Sequence, residues 1–234
     1  MSEGGGRKTR KTPAGRRFVG ETKAEKRERV EEVIRRLWEE YPDATTSLRH
    51  ESPYELLVAT ILSAQCTDER VNMVTPDLFE RYPTPEDLAD ADPEDVQEII
   101  HSTGFYRQKT KSLIGMAQSV VEDHGGEVPD TMKELTKLRG VGRKTANVVL
   151  GNAFEKDEGV VVDTHVKRIS GRLGLTKETT PEKIEQDLME LVPEDAWTDL
   201  PHLFIFHGRA VCKAPTPLCS ECVLVDLCPS ADVG

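Results

Sequence analysis

From Lys23 to Val211 the apolar residues keep returning at helical spacing, and the runs are cut by Pro and Gly. Lys23–Glu40 is the clearest case, with Val30, Val33, Ile34, Leu37 and Trp38 on one stripe. Pro53 can open a second helix with an apolar body over 54–62. The same pattern predicts helices at 68–81, 85–89, 93–101, 109–123, 132–138, 144–154, 164–173, 181–191 and 193–211. Only the four residues Gly159–Val162 look strand-like, too few to build a sheet. The fold class is therefore all-α. A central helical domain over 45–155 is expected, with the N-terminal helix, 23–44, returning to pack on 156–234.

A chain of 234 residues has room for a sizeable core in one or two domains. No run of about 18 apolar residues occurs and no apolar leader opens the sequence, so the expectation is a cytoplasmic protein without membrane contact. Net charge is −11, but it is unevenly spread. Residues 1–29 hold ten Lys/Arg and four Asp/Glu, a local charge of +6 that leaves −17 for the rest. Bulk charge alone thus argues against a nucleic-acid partner. It suits a surface kept hydrated in concentrated salt. Residues 1–22, rich in Gly, Lys and Arg, read as a disordered basic tail able to track phosphates.

Four of the five cysteines, Cys212, Cys219, Cys222 and Cys228, fall within 17 residues. Two structural disulfides do not suit an intracellular protein. So many neighbouring thiolates ask for a shared cation, and either zinc or an iron–sulfur cluster accepts four of them. Cys66 sits in an apolar helical pattern and reads as a buried free thiol.

The segment LRGVGRKTANVV, Leu138 to Val149, carries the second chemical signal. A nucleotide-binding loop would need Gly directly before Lys144-Thr145 and again five positions earlier, where Arg143 and Leu138 stand instead. The remaining reading is a helix, a Gly140-Val141-Gly142 turn and a new helix from Arg143. Its N-terminal amides would face outward, ready for a phosphate.

LRGVGRKTANVV, followed by VVDTHVKRISGRLG and then C-x6-C-x2-C-x5-C, resembles the endonuclease III branch of the helix-hairpin-helix DNA glycosylases. The likeness runs from about residue 25 to the end and includes LLVATILSAQCTD and HSTGFYRQKTKSL. It implies a six-helix barrel domain, a second helical domain holding a [4Fe–4S] cluster on Cys212, Cys219, Cys222 and Cys228, and damaged or abasic double-stranded DNA bound at the cleft by a nucleoid-associated monomer. By the same resemblance Lys144 is the amine nucleophile and Asp163 the catalytic carboxylate of a glycosylase and abasic-site lyase acting on oxidised pyrimidines. Gln65 and Phe105 match residues that enter the base stack. Gly140, Val141, Gly142, Arg143 and His165 match DNA contacts. Arg139 stands where the family usually has proline, which leaves the turn less preorganised. The adenine-mismatch branch lacks the lysine.

Overall fold

The computed structural model describes residues 18–233. These contain eleven α-helices: α1 Lys23–Glu40, α2 Pro53–Leu62, α3 Asp68–Arg81, α4 Pro85–Ala89, α5 Pro93–Ile100, α6 Tyr106–His124, α7 Met132–Leu135, α8 Arg143–Phe154, α9 Thr164–Arg172, α10 Pro181–Met189 and α11 Asp199–Ala210. No strand occurs among the described residues, and Gly159–Val162 makes no ladder.

Local chemistry sets most helix starts. Thr22, Ser52, Thr67, Thr84, Asp92, Thr131 and Asp163 each accept a backbone N–H of the first turn through the side chain. Pro53, Pro85, Pro93 and Pro181 stand at the first helical position, where a missing N–H costs nothing.

The described residues fall into two compact units. One is nearly continuous, Thr45–Val161 with Asp195–Thr198. It contains α2 to α8, a helical barrel around α2, which is buried along almost its whole length from Tyr54 to Leu62. Leu57, Leu78, Leu113, Met116, Val149 and Leu150 fill this core and are fully buried. The other unit joins the chain up to Ala44 with Val162–Glu194 and the stretch from Asp199 onward. In it α1 and α9 each pack on α11, around Leu37, Ile169, Leu203 and Phe204.

The boundary expected at 155/156 falls at 161/162. Lys156 holds the turn after α8 to the barrel unit through an ion pair with Asp130, and Asp157 accepts the Thr198 amide. Most of the tail predicted to be disordered, 1–17, lies outside the described residues. Its end is not loose, because Arg29 pins Glu21 in a bidentate ion pair and stacks on the Phe18 ring. The α6 start also differs: it lies at Tyr106, three residues before the expected 109, after a left-handed Phe105 that supplies no side-chain cap.

Arg29 is 7% exposed, and its Nη1 also donates to the carbonyls of Leu173 and Leu227. Arg29→Met strands two carbonyls and a buried carboxylate, so it is expected to lower the unfolding free energy by about 3 kcal/mol. Urea midpoints of the two proteins measure this.

Candidate functional site

The turn between α7 and α8 is built by backbone sterics. Val141 N–H donates to Leu138 O at 3.1 Å, and the Val141 side chain is buried in the core. Gly140 has φ +80°, and a Cβ there would lie 2.7 Å from Ser112 Cβ on α6. Both its conformation and its closeness to α6 require glycine. Arg139 does what a rigid ring would not: its side chain lies over Gly115 of α6, packing the exposed hairpin onto the barrel.

Gly142 then caps α8 from extended backbone with no side-chain cap, and Gly142, Arg143 and Lys144 are exposed. The start of α8 thus presents the positive end of the helix dipole at an exposed surface, where a phosphate is favoured. No ion pair or hydrogen bond engages the Lys144 amine among the described residues.

In the other unit, Asp163 caps α9, with Oδ1 accepting the Val166 amide at 2.8 Å. Its Oδ2 takes no protein hydrogen bond among the described residues. Two residues on, His165 is held inward rather than outward. Arg168 Nη2 donates to its Nδ1 at 3.0 Å, and the ring lies so close to α11 that a Cβ on Gly208 would sit 2.4 Å from Nδ1. Burial, and then the nearby arginines, hold its pKa below the ordinary histidine value, against the pull of Asp163. With Nδ1 accepting, Nε2 carries the proton.

Two exposed loops of the barrel unit hold the remaining sequence candidates. Gln65 follows α2 and Phe105 precedes α6, both with left-handed backbone at φ 53° and φ 48°. Such a conformation costs on the order of 1–2 kcal/mol for a residue other than glycine. Phe105 is 67% exposed, an unusual place for a phenyl ring. Cys66, beside Gln65, is a half-buried free thiol, where a buried one was expected.

The four clustered cysteines line one cavity, with His207, Arg172 and the apolar side chains of Ile169, Leu173 and Leu224. None is in a disulfide. Arg172 Nη1 lies 3.2 Å from Cys212 Sγ and also donates to the carbonyl of Lys213. Tyr41 Oη lies in hydrogen-bond contact with His207 Nδ1 at 3.2 Å, and His207 Nε2 faces Cys222 Sγ at 3.5 Å. Burial, and then the other three cysteines, push the Cys222 thiol up to about 11. Burial raises the Cys228 thiol as well, a cost that a cation sharing the charge would offset, so the donor set of four sulfurs around one apolar space fits a thiolate-ligated metal group. No three His, Cys, Asp or Glu among the described residues are already placed around a single ion.

Residues 58–194 match the pattern of the HhH-GPD superfamily, base excision DNA repair proteins. Endonuclease III of Synechocystis sp. is 57% identical over 90% of this chain and 96% of that protein. The chain belongs to the endonuclease III family. Among solved structures, a non-covalent endonuclease III–DNA complex is 41% identical with a TM-score of 0.82, covering 88% of this chain and 96% of that one. A trapped endonuclease III–DNA covalent intermediate has a TM-score of 0.81 at the same identity and coverage.

The family's sequence motifs do not single out the groups that hold these loops. Arg168 and Arg172 bind the Cys212 carbonyl, Arg36 binds the Val223 carbonyl, and Lys109 is buried. Their signal in the sequence is a cation on an apolar stripe, which Lys109 displays beside Leu113, Met116 and Val120.

Gly140→Ala combines a strained φ with a clash against the Ser112 side chain. It is expected to cost about 1–3 kcal/mol and to weaken binding to duplex DNA, read by thermal unfolding and fluorescence anisotropy.

Proposed function

We propose that this chain removes damaged bases from duplex DNA and then nicks the abasic strand, with Lys144 as nucleophile and oxidised pyrimidines as substrates. The exposed, unengaged Lys144 amine one residue inside an open helix N-terminus carries this reading. The helix end can hold a backbone phosphate while the amine reaches the adjoining sugar.

The amine must be neutral to react, and free lysine titrates near ~10.4. Neutral Nζ forms a bond to the sugar C1′ as the C1′–N bond to the base breaks and the base leaves with a proton. Opening of the sugar ring gives an imine between C1′ and Nζ. Loss of a C2′ proton then lets the C3′–O bond break, and the 3′ phosphate departs. Asp163 is assigned to stabilising positive charge as it develops on the sugar and to accepting a proton. Its N-cap bond through Oδ1 supports this by fixing the carboxylate and leaving Oδ2 for the reaction. His165 is better suited to bracing α9 than to proton transfer, since Arg168 holds its Nδ1.

A base in a duplex must be turned out before C1′ can be reached. Gln65 and Phe105, both exposed on strained loops, suit filling the gap and wedging the stack. Bulk negative charge does not prevent this. The segment from Leu138 to Val149 contains no Asp or Glu and three cations, and Debye screening confines distant carboxylates to within about 10 Å at ordinary salt.

A [4Fe–4S] group on Cys212, Cys219, Cys222 and Cys228 suits the all-thiolate donor set and apolar cavity. Bound there, it supplies a cross-link through the tail and one-electron redox chemistry. Arg172 and His207 would donate to two of its thiolates. No described helix is long and apolar enough to cross a membrane, which accords with a cytoplasmic, nucleoid-associated monomer whose basic tail follows DNA.

Borohydride is expected to trap a covalent adduct between the protein and a duplex carrying thymine glycol, and Lys144→Ala is expected to abolish it. Trapping by that variant at the wild-type rate would remove Lys144 from the reaction. Purified protein is expected to hold about four iron and four sulfide per chain and to absorb broadly in the visible, whereas zinc with no iron would overturn the cluster assignment.

A further inference from the structure

Lys109 is 5% exposed, on the first turn of α6. Its Nζ donates to two backbone carbonyls from different parts of the chain, Leu62 O and Thr103 O, each at 2.8 Å. Leu62 is the last residue of α2, and its carbonyl has no partner within the helix. Thr103 closes the 3-10 turn before Gly104.

Each carbonyl lies just upstream of one of the strained, exposed residues: Leu62 three positions before Gln65, Thr103 two before Phe105. One buried nitrogen therefore ties together the roots of both loops. Burial draws the Lys109 pKa down, opposed by the neighbouring Cys66. The cost of burying this group would be avoided by an apolar residue, which could not hold two carbonyls at a common distance.

Left-handed Gln65 and Phe105 have no glycine-like freedom to settle elsewhere without shifting these roots. Thr103 is buried with its own hydroxyl bound to Ile100 O, and Ser63 donates to Thr60 O, so the roots are rigid on both sides. Phe105 O in turn accepts the Lys109 amide at 3.0 Å, which joins the lysine backbone to the second loop.

The geometry points to Lys109 as a positioning residue that fixes the separation of Gln65 and Phe105, so that both enter the DNA stack together when a base is turned out. This deepens the proposed function and rests on it. The lysine touches neither DNA nor the reacting atoms. Its effect should appear only where a base has to be extruded from a duplex, because a single-stranded abasic site has no stack to fill.

The test compares wild type, Lys109→Met and Lys109→Arg in single-turnover reactions on duplex thymine glycol and on single-stranded abasic DNA. A 2-aminopurine next to the lesion reports unstacking. Both variants are expected to slow the duplex reaction about 10-fold or more and to lose the fluorescence rise, while the single-stranded reaction changes less than about twofold. Equal slowing on both substrates, or an unchanged duplex reaction, would overturn the assignment. Should the methionine variant fail to fold, the arginine variant decides alone: it keeps the charge, but its planar fork cannot set one nitrogen between the carbonyls. Failure of the wild type on duplex thymine glycol would instead count against the function proposed above.

Discussion

Carbonyl groups outside regular helices have to find donors, and buried or half-buried cations supply many of them here. Lys109 joins two loop roots, Arg29 takes Leu173 and Leu227, Arg36 takes Val223, and Arg168 and Arg172 take Cys212 and its neighbours. An all-helical chain has no ladder in which loop backbone can hide, and an unpaired buried carbonyl costs about 1–3 kcal/mol. The functional groups nearly all lie on such loops or at helix ends. The cations therefore hold the irregular backbone that chemistry needs, while the helices supply a rigid frame.

This arrangement reconciles an acidic protein with a polyanionic substrate. Acidic residues stand in the first turns of several helices, where Glu and Asp favour the helix dipole, as at Glu55, Asp68, Glu86 and Glu94. The exposed hairpin of Gly140 to Lys144 presents amides and cations instead. Recognition depends on the field within a few ångströms of a phosphate, and a whole-chain charge count averages that away.

Helical periodicity was enough to place α1, α3 and α4 to the residue, because Thr caps and Pro starts mark their ends. It failed at α6, whose first turn has no side-chain cap and follows a left-handed phenylalanine, and at 193–211, which breaks into a 3-10 turn and α11. The hairpin and the cysteine tail were legible because glycine spacing and thiol spacing are local. Lys109 was not, since its meaning depends on carbonyls 47 and 6 residues away. Neither was the inward hold on His165, which depends on how closely α9 approaches Gly208.

Chain order has a consequence for how the molecule is made. The barrel unit comes almost entirely from one uninterrupted stretch, so it can close while the ribosome is still extending the chain. The unit bearing the cysteines cannot, because Arg29 near the start waits for Leu227 near the end. Until Leu227 is translated, Arg29 lacks one of its carbonyl partners, and the four clustered cysteines follow the barrel stretch in chain order. Any group held by the four clustered cysteines therefore arrives after the stretch that forms the barrel, with the hairpin that carries Lys144, has been made.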